Sequence, residues 1–480
     1  MAMGRYLGID LGTSGIKLLL MDADQRILGA ATASLTVSRP QDGWSEQHPA
    51  DWITATRQAL ATLAKSHDLR GLQGIGLSGQ MHGAVCLDRD DQVLRPAILW
   101  NDGRAEAEAS TLDAIPAFRA QSGNIVFAGF TAPKLVWMAK HEPELFARVA
   151  RVLLPKDYLR LWLTGEHVSD MSDAAGTSWL DCAKRDWSDD LLAASGMSRA
   201  QMPALVDGSA ISGRLRGSLA AELGLPQGVV VAGGAGDNAA SAIGAGSIRA
   251  GQGFVSLGTS GVIFTATDSY LPLPESAVHA FCHALPQTWH HMGVVLQASA
   301  ALEWYGALTG TSPANLTQAL GDQLAPPCEA LFLPYLSGER TPHNNTALRA
   351  SFHHVSSRDS RETLTHAVLE GVSFALKDAV LALHKAGSRP ESLLALGGGA
   401  QSRYWLNLLA TILELPVELP ESGDFGAAFG AARLGLLAHE SATAEEICHP
   451  PRILEVITPD PALIASYGAQ YDRFRSQLRE

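Results

Sequence analysis

The sequence predicts an α/β fold built as two related halves that face one another across a cleft, and three observations carry that reading. The pentapeptide Leu-Gly-Thr-Ser-Gly occurs twice, at residues 11–15 and 257–261. Each copy follows a short strand-like run, at residues 6–10 and 253–256. Strands then give way to alternating helices, and the pattern restarts after the glycine-rich stretch 244–253, as expected for two α/β units.

Taken in order, residues 6–10 and 16–21 are apolar runs around a glycine turn, and Asp22-Ala23-Asp24 turns the chain before a third run at 27–33. Residues 52–63 have helical periodicity, with Asp51 placed to cap them. Residues 75–77, 83–87 and 93–98 read as strands, the last two joined by a turn at 88–91. A buried strand is expected at 228–234 and a small-residue helix at 238–243. Beyond the boundary come strands at 253–256 and 262–265, a long amphipathic helix at 361–385, a strand at 393–396 and a helix at 404–413. The implied division is 1–245, 254–440 and a polar, helical tail at 441–480, in which residues from 450 onward lose periodicity.

A chain of 480 residues, 46% hydrophobic and 18% charged, has material for two sizeable cores. Its net charge of −13 argues against a nucleic-acid partner, which needs a basic face. An anionic substrate must therefore be held by local donors and metal. The five cysteines, at 86, 182, 282, 328 and 448, show no Cys-x-x-Cys spacing and read as reduced thiols. The first strand begins at Arg5 or Tyr6, and no apolar run reaches the roughly 20 residues that span a bilayer. A cytoplasmic location without membrane contact is expected.

The two hairpins carry chemistry. Glycine lets backbone N–H groups approach an anion, and Thr and Ser add hydroxyl donors, so Gly12, Thr13, Ser14 and Gly15 in one copy and Gly258, Thr259 and Ser260 in the other are phosphate-binding candidates. The residue before the pentapeptide is Asp10 in the first copy and Ser256 in the second. A carboxylate beside a phosphate is repulsive unless a cation lies between them, so Asp10 points to Mg²⁺ and a reacting phosphoryl group. Two hairpins facing each other would clamp a polyphosphate, which makes the cleft a nucleotide site. Lys17 either reaches a phosphate or lies on the exposed side of its strand.

Other segments have two readings each. Gly397-Gly398-Gly399-Ala400 lies between a strand and a helix, where bare backbone can lie against a base or ribose or simply make a crowded turn. The hairpins favour the nucleotide reading. Asp237, after Gly233-Gly234-Ala235-Gly236, either caps the helix that follows or is a carboxylate held ionised at its N-terminus as a base. Trp100-Asn101-Asp102-Gly103-Arg104 is either a sugar-binding edge or a core Trp with a surface ion pair. Gln80-Met81-His82 either points into a cleft or turns around a buried Met, and Gly338-Glu339-Arg340-Thr341-Pro342 reads as a polar turn. Gly74-x-Gly76-x-x-Gly79 matches a dinucleotide fingerprint only formally, because no helix follows it. No P-loop occurs, and His290-His291 and His353-His354 lack zinc-site spacing and read as surface or packing residues.

These segments together resemble the FGGY family of carbohydrate kinases across roughly residues 5–440. The resemblance rests on residues 8–15, 79–83 and 98–104, on Phe130-Thr131-Ala132-Pro133-Lys134-Leu135-x-Trp137, on Gly236-Asp237-Asn238-Ala239-Ala240 and on residues 335–343. It implies an actin-like, ribonuclease-H-like pair of domains with a nucleotide and sugar cleft between them, the first half holding sugar and the second ATP. It implies Asp237 as general base for the accepting hydroxyl, Asp10 with Asp237 in support of Mg²⁺, and Met81-His82, flanked by Gln80, Trp100, Asp102 and Asn238, at the sugar. Met81-His82 is similar to members that take D-xylulose, whereas glycerol-specific members carry Arg-Glu there. The expected reaction is phosphoryl transfer from Mg-ATP to O5 of D-xylulose by a homodimer, with domain closure about residues 244–253 excluding water. A kinase for another ketose or polyol, or an actin-like ATPase switch, are the alternatives. One departure is His354, where members more often carry Gly before the long helix.

Overall fold

The computed structural model describes residues 4–421, 425–440 and 442–478. Each half is built on a seven-stranded mixed sheet, and the strand order repeats. In the first, Ile27–Ser34, Gly15–Asp22, Arg5–Leu11, Leu72–Gly79, Val230–Ala232 and Ile211–Arg214 lie side by side, with Ala235–Gly236 also pairing with Leu72–Gly79. The second repeats this as Trp289–Val295, Gly261–Thr267, Gly253–Leu257, Leu393–Leu396, Val417–Pro420 and Ile453–Ile457, with His279–Cys282 added outside Trp289–Val295. In both sheets the first three strands of this order are antiparallel, the next two continue in parallel, and the last is antiparallel again. This is the duplicated actin-like, ribonuclease-H-like plan. Leu18, Leu19 and Leu20 are all buried, so this sheet is covered on both faces, and its strands read as apolar runs without alternation.

One face of the first sheet packs on the helix Pro49–Ala64. The other is covered by Ala427–His439, a helix from the far end of the chain, which also crosses Asp237–Ala245. Glycines permit this close approach. A methyl group on Gly76 would overlap the Ala431 carbonyl oxygen, and one on Gly430 would overlap that of Ala240. The glycines at 74 and 76 thus seat a helix and not a dinucleotide. Arg433 donates to the carbonyls of Ile243 (2.9 Å) and Gly244 (3.1 Å), a cation at the C-terminal end of the other crossing helix. The halves are joined by residues 246–252 and by this crossing, and they also meet directly, as where Asn124 and Ala280 exchange two hydrogen bonds of 3.1 Å.

Several expectations are corrected. The helix expected at 52–63 starts at Pro49 and is capped by His48, with Asp51 inside its first turn. Asp237 is the first helical residue after Gly236, and its side chain does not cap the helix. The helix Arg361–Lys385 has buried residues on all sides, because it is wedged among Trp289–Val295, Ser299–Thr309 and Arg403–Leu413, so the amphipathic expectation fails. The tail is more than a polar helix. Ile453–Ile457 extends the second sheet, and Ile464–Ser476 buries Tyr467, Tyr471 and Phe474 in the core of the second half. His290 and His291 are buried packing residues, and His354 adopts φ 57°, a left-handed turn for which glycine is the easier residue. All five cysteines are free, and among the described residues no helix is long and apolar enough to cross a membrane.

Candidate active site

Strand register builds the centre of the site. Leu11 pairs with Gly79, and Gly79 with Gly236, so three parallel strands end together, and Gly12, Gln80 and Asp237 are the next residues along each. The Gln80 N–H donates to the Leu11 carbonyl at 2.8 Å and holds that alignment. Asp10, half-buried, lies one step back on the face of its strand shared with Gly8, which the crossing helix Ala427–His439 covers. Lys17 is its register partner on the antiparallel neighbour and is half-buried, not on an exposed strand face. Loops ending parallel strands of an open α/β sheet are where ligands bind.

The first hairpin is held by side chains that spacing did not reveal. The Thr13 hydroxyl donates to Gln80 Oε1 (3.0 Å) and accepts from Trp100 Nε1 (2.9 Å). Gln47 donates to the Thr13 carbonyl (2.7 Å), and its own Oε1 accepts from Gln80 Nε2 (3.1 Å) and Trp52 Nε1 (3.0 Å). Two expectations change. Gln80 is buried and faces the hairpin instead of a sugar, and the Thr13 hydroxyl is committed to this network. Ser14 remains at the exposed tip. Trp100 is 40% exposed, opposite to a core Trp.

Met81 and His82 sit against the strand end that carries Asp237. Met81 is buried on Gly236, and Gly176 leaves room for both side chains. His82 has φ 70° and stacks on Phe130 with ring centroids 4.4 Å apart. The Lys134 ammonium (2.9 Å) and the Thr131 hydroxyl (3.0 Å) both donate to the His82 carbonyl, which pins this unusual backbone. Burial pushes Lys134 down to about 7 against the pull of Asp102, and pushes His82 down to about 3, so the imidazole is neutral. Its Nδ1 lies 2.7 Å from the Gly176 carbonyl and must carry the proton there, leaving Nε2 as an acceptor for a hydroxyl.

Asp237 is half-buried, one residue beyond the end of its strand. Its Oδ1 accepts from the Asn238 backbone N–H (2.7 Å) and side-chain amide (3.0 Å). Burial outweighs these donors and raises its carboxyl above the ordinary value, opposite to the expected stabilisation of the ionised form. A raised pKa makes a stronger base. The loop before it is clamped from behind. Ser172 Oγ accepts from the Gly236 N–H (3.2 Å), and Arg160 donates to the carbonyls of Ala232 (2.6 Å) and Gly233. Arg160 and Ser172 join a fully buried cluster in which Lys156 meets Asp157 (2.6 Å), Asp170 (2.7 Å) and Asp173 (3.1 Å). Burial alone would lower Lys156, but the three carboxylates together raise it, while burial raises Asp173.

Asp102 is not at this surface. Its Oδ1 accepts from the Arg104 backbone N–H and Nε, its Oδ2 accepts from the Ser45 N–H and Arg104 Nη2, and its side chain has no exposure. Arg104 stacks 3.6 Å from the Trp44 ring. The expected sugar contact is thus a saturated internal ion pair, and this pair is buried while Trp100 is not.

In the second half the hairpin carbonyls are occupied. Gly258 accepts from the Ser299 N–H (2.9 Å), and Thr259 from Ala298 (2.9 Å) and Ala300 (3.2 Å), at the start of the helix Ser299–Thr309. Thr259 is exposed at the hairpin tip and Ser260 is half-buried. Gly397, at φ 86°, approaches the Leu257 carbonyl so closely that a side chain there would collide with it. Gly398 and Gly399 line a cavity of about 570 Å³ together with Ser299, Leu302, Gln401 and Tyr404. Ala400 is buried behind it in the core and does not line it, because the turn points its methyl inward. A second crevice of about 270 Å³ runs between the halves, lined by Asn238 and Ser241 from one and Ser256 and Gly397 from the other. Among the described residues no group of three or more His, Cys, Asp or Glu could hold a metal ion alone. A Mg²⁺ that arrives with phosphates needs only one or two protein carboxylates, so a donor set of Asp10 and Asp237 fits that ion.

The sequence matches the model of the N-terminal domain of the FGGY family of carbohydrate kinases over residues 5–244 and that of its C-terminal domain over 253–439. It is 48% identical over 473 residues to a xylulose kinase of Escherichia coli (strain K12), covering 98% of each chain. To one of Klebsiella pneumoniae it is 48% identical over 474 residues, covering 98% of this chain and 97% of the relative. A crystal structure described as a xyloylose kinase from Brucella ovis superposes with a TM-score of 0.97 at 58% identity, covering 98% of each chain. A xylulose kinase from Rhodospirillum rubrum superposes at 0.91 with 30% identity, again covering 98% of each. With both family domains matched across nearly the whole chain, and the duplicated sheets carrying paired hairpins at their strand ends, the chain belongs to the FGGY family of carbohydrate kinases.

Proposed function

We propose that this protein transfers the γ-phosphoryl group of Mg-ATP to O5 of D-xylulose, giving D-xylulose 5-phosphate and ADP. The observation that carries the reading is the meeting of three strand ends, which sets Asp237 beside the first hairpin and Met81-His82. Identity of 48% to full-length xylulose kinases supports the choice of sugar.

ATP lies with its adenosine in the cavity at Gly398 and Gly399 and its phosphates along the crevice towards Asn238. Donors at Ser14 and Gly15 and at Thr259 and Ser260 face the phosphates from either half. The sugar lies at Met81-His82, with one hydroxyl donating to His82 Nε2. Asp237 accepts the O5 proton as O5 attacks the γ-phosphorus in line, and the bond from phosphorus to the β,γ-bridging oxygen breaks to release ADP. Mg²⁺, held by Asp10 and Asp237, supplies neutralisation of phosphate charge when bound. Asn238 orients the base. Closure of the halves about residues 246–252 keeps water, a competing acceptor, from the phosphoryl group. Assembly as a homodimer in the cytoplasm belongs to the same proposal.

A panel of ketoses and polyols tests this reading, with ADP release coupled to a detector and the phosphorylated product identified by mass and NMR. D-Xylulose should give the highest kcat/KM and a 5-phosphate. Preference for another sugar, or ADP release indifferent to every sugar, would overturn it. Within the same assay, His82→Ala should raise the KM for D-xylulose about 10-fold or more through loss of a buried hydrogen bond. Sugar-independent ATP hydrolysis should change little, and equal losses in both would make His82 a packing residue only.

A further inference from the structure

The turn at residues 338–342 is no mere polar surface turn. Thr341 is tied to Val294 in both directions, N–H to carbonyl at 3.1 Å and hydroxyl from N–H at 3.0 Å, and its hydroxyl also donates to the Ala277 carbonyl at 2.8 Å. On the other side, Glu339 Oε1 accepts from the N–H groups of Leu296 (2.9 Å) and Arg340 (2.7 Å). Both neighbours of Arg340 are thus pinned to the end of the strand Trp289–Val295. Between them the Arg340 side chain leaves the second half and lays its guanidinium 4.8 Å from the ring centre of Phe127 in the first.

Phe127 leads to the sugar side. It meets Phe130 at 5.4 Å and His279 at 5.5 Å, and Phe130 stacks on His82. The same segment rests on Trp100, since a side chain at Gly129 would collide with the Trp100 carbonyl. Among the described residues the Arg340 guanidinium has no hydrogen bond or ion pair, whereas Arg104, Arg160 and Arg433 are each committed to carboxylates or carbonyls. A half-buried cation with five donors and only an aromatic face for company lacks acceptors. Burial pushes its pKa down, with Glu339 opposing. Its charge is one of the causes, after burial, that lower His82 and His279, the imidazoles that line this aromatic path.

We propose that Arg340 is a sugar-contacting residue lent by the second half, donating hydrogen bonds to O2 and O1 at the carbonyl end of the ketose while O5 lies at Asp237. This deepens the reading given under Proposed function and rests on it. A guanidinium only donates. A ketone oxygen presents both lone pairs in the plane of C2 with no hydrogen to turn towards the cation, whereas a hydroxyl at C2 is out of that plane and brings a hydrogen, so the pairing favours a ketose over the polyol made by reducing C2. Because the cation comes from the other half, sugar bound at His82 also draws the halves together.

The test compares Arg340→Met and Arg340→Lys with the wild type on D-xylulose and xylitol, with sugar-free ATP hydrolysis and the unfolding midpoint measured alongside. Arg340→Met should raise the KM for D-xylulose about 10- to 100-fold, the range for hydrogen bonds to a charged group. The KM for ATP and the sugar-free hydrolysis should stay within about twofold. The preference for D-xylulose over xylitol in kcat/KM should shrink by about tenfold. Arg340→Lys keeps the charge and loses the fork, so it should fall between, and it carries the comparison if Arg340→Met does not fold. Equal losses on ketose and polyol, a parallel loss of sugar-free hydrolysis, or no change on either sugar would overturn the assignment. A wild type that ignores D-xylulose but prefers another ketose, with Arg340→Met still erasing preference for that ketose over its polyol, would overturn the choice of sugar and leave the role of Arg340 standing.

Discussion

Asp237→Ala should lower kcat with D-xylulose by about 10²–10⁴-fold, the usual contribution of a positioned general base. The fold should be indifferent to it. Among the described residues the carboxylate accepts only from Asn238, and burial already opposes its charge, so removing it costs little and relieves a desolvated group. Far-UV circular dichroism and the unfolding midpoint should match the wild type while turnover collapses. The pH profile supplies an independent sign. The base acts deprotonated and burial raises its pKa, so wild-type kcat/KM should fall on the acid side at a pH above the ordinary carboxylate value of about 4. That limb should be absent from the residual activity of Asp237→Asn. Near-normal turnover in either variant would remove the residue from this role.

Lys156→Met should be the most damaging single change to stability, at about 3–5 kcal/mol, the range for removing one partner of a buried ion pair. Lys156 is fully buried among Asp157, Asp170 and Asp173, and only Arg160 would remain to offset three carboxylates. The deficit should shrink as pH is lowered. Asp173 is already raised by burial and held back by the ammonium, so without it this carboxyl rises further above its unfolded value, and the folded variant binds more protons and regains stability on acidification. Chemical denaturation of variant and wild type across a pH series measures both quantities. Because the same cluster holds the Gly233 carbonyl and, through Ser172, the Gly236 N–H, the variant should also lose kcat below its unfolding midpoint. An unchanged midpoint would show the cluster to be dispensable.

Residue types and their immediate neighbours carried much of this molecule in plain view. The repeated pentapeptide and the apolar run before each copy announced two hairpins, and the hairpins open two sheets of the same order. Glycines at 397–399 marked the turn that lines the large cavity. What misled was satisfaction at a distance. Asp102 looked available beside Trp100, yet its oxygens are taken by Arg104 two residues on and by the Ser45 amide 57 residues back. Gln80 looked like a sugar ligand, yet Gln47 and Thr13 claim its amide. Gln47 and Lys156 carry no local signal that separates them from surface polar residues, and Lys134 and Arg340 stood out only as parts of resembling segments, with no role attached.

The chain by itself determined its fold class, its duplication and the candidates for phosphate and proton chemistry, because these follow from backbone freedom at glycine and from periodicity within a few residues. Tertiary structure alone decided which polar groups are spent and which face the cleft. A hydrogen bond or ion pair is a matter of ångströms in space, and the partners that saturate Asp102, pin His82 and leave Arg340 over Phe127 are brought together only by strand register and by helices crossing from the far end of the chain.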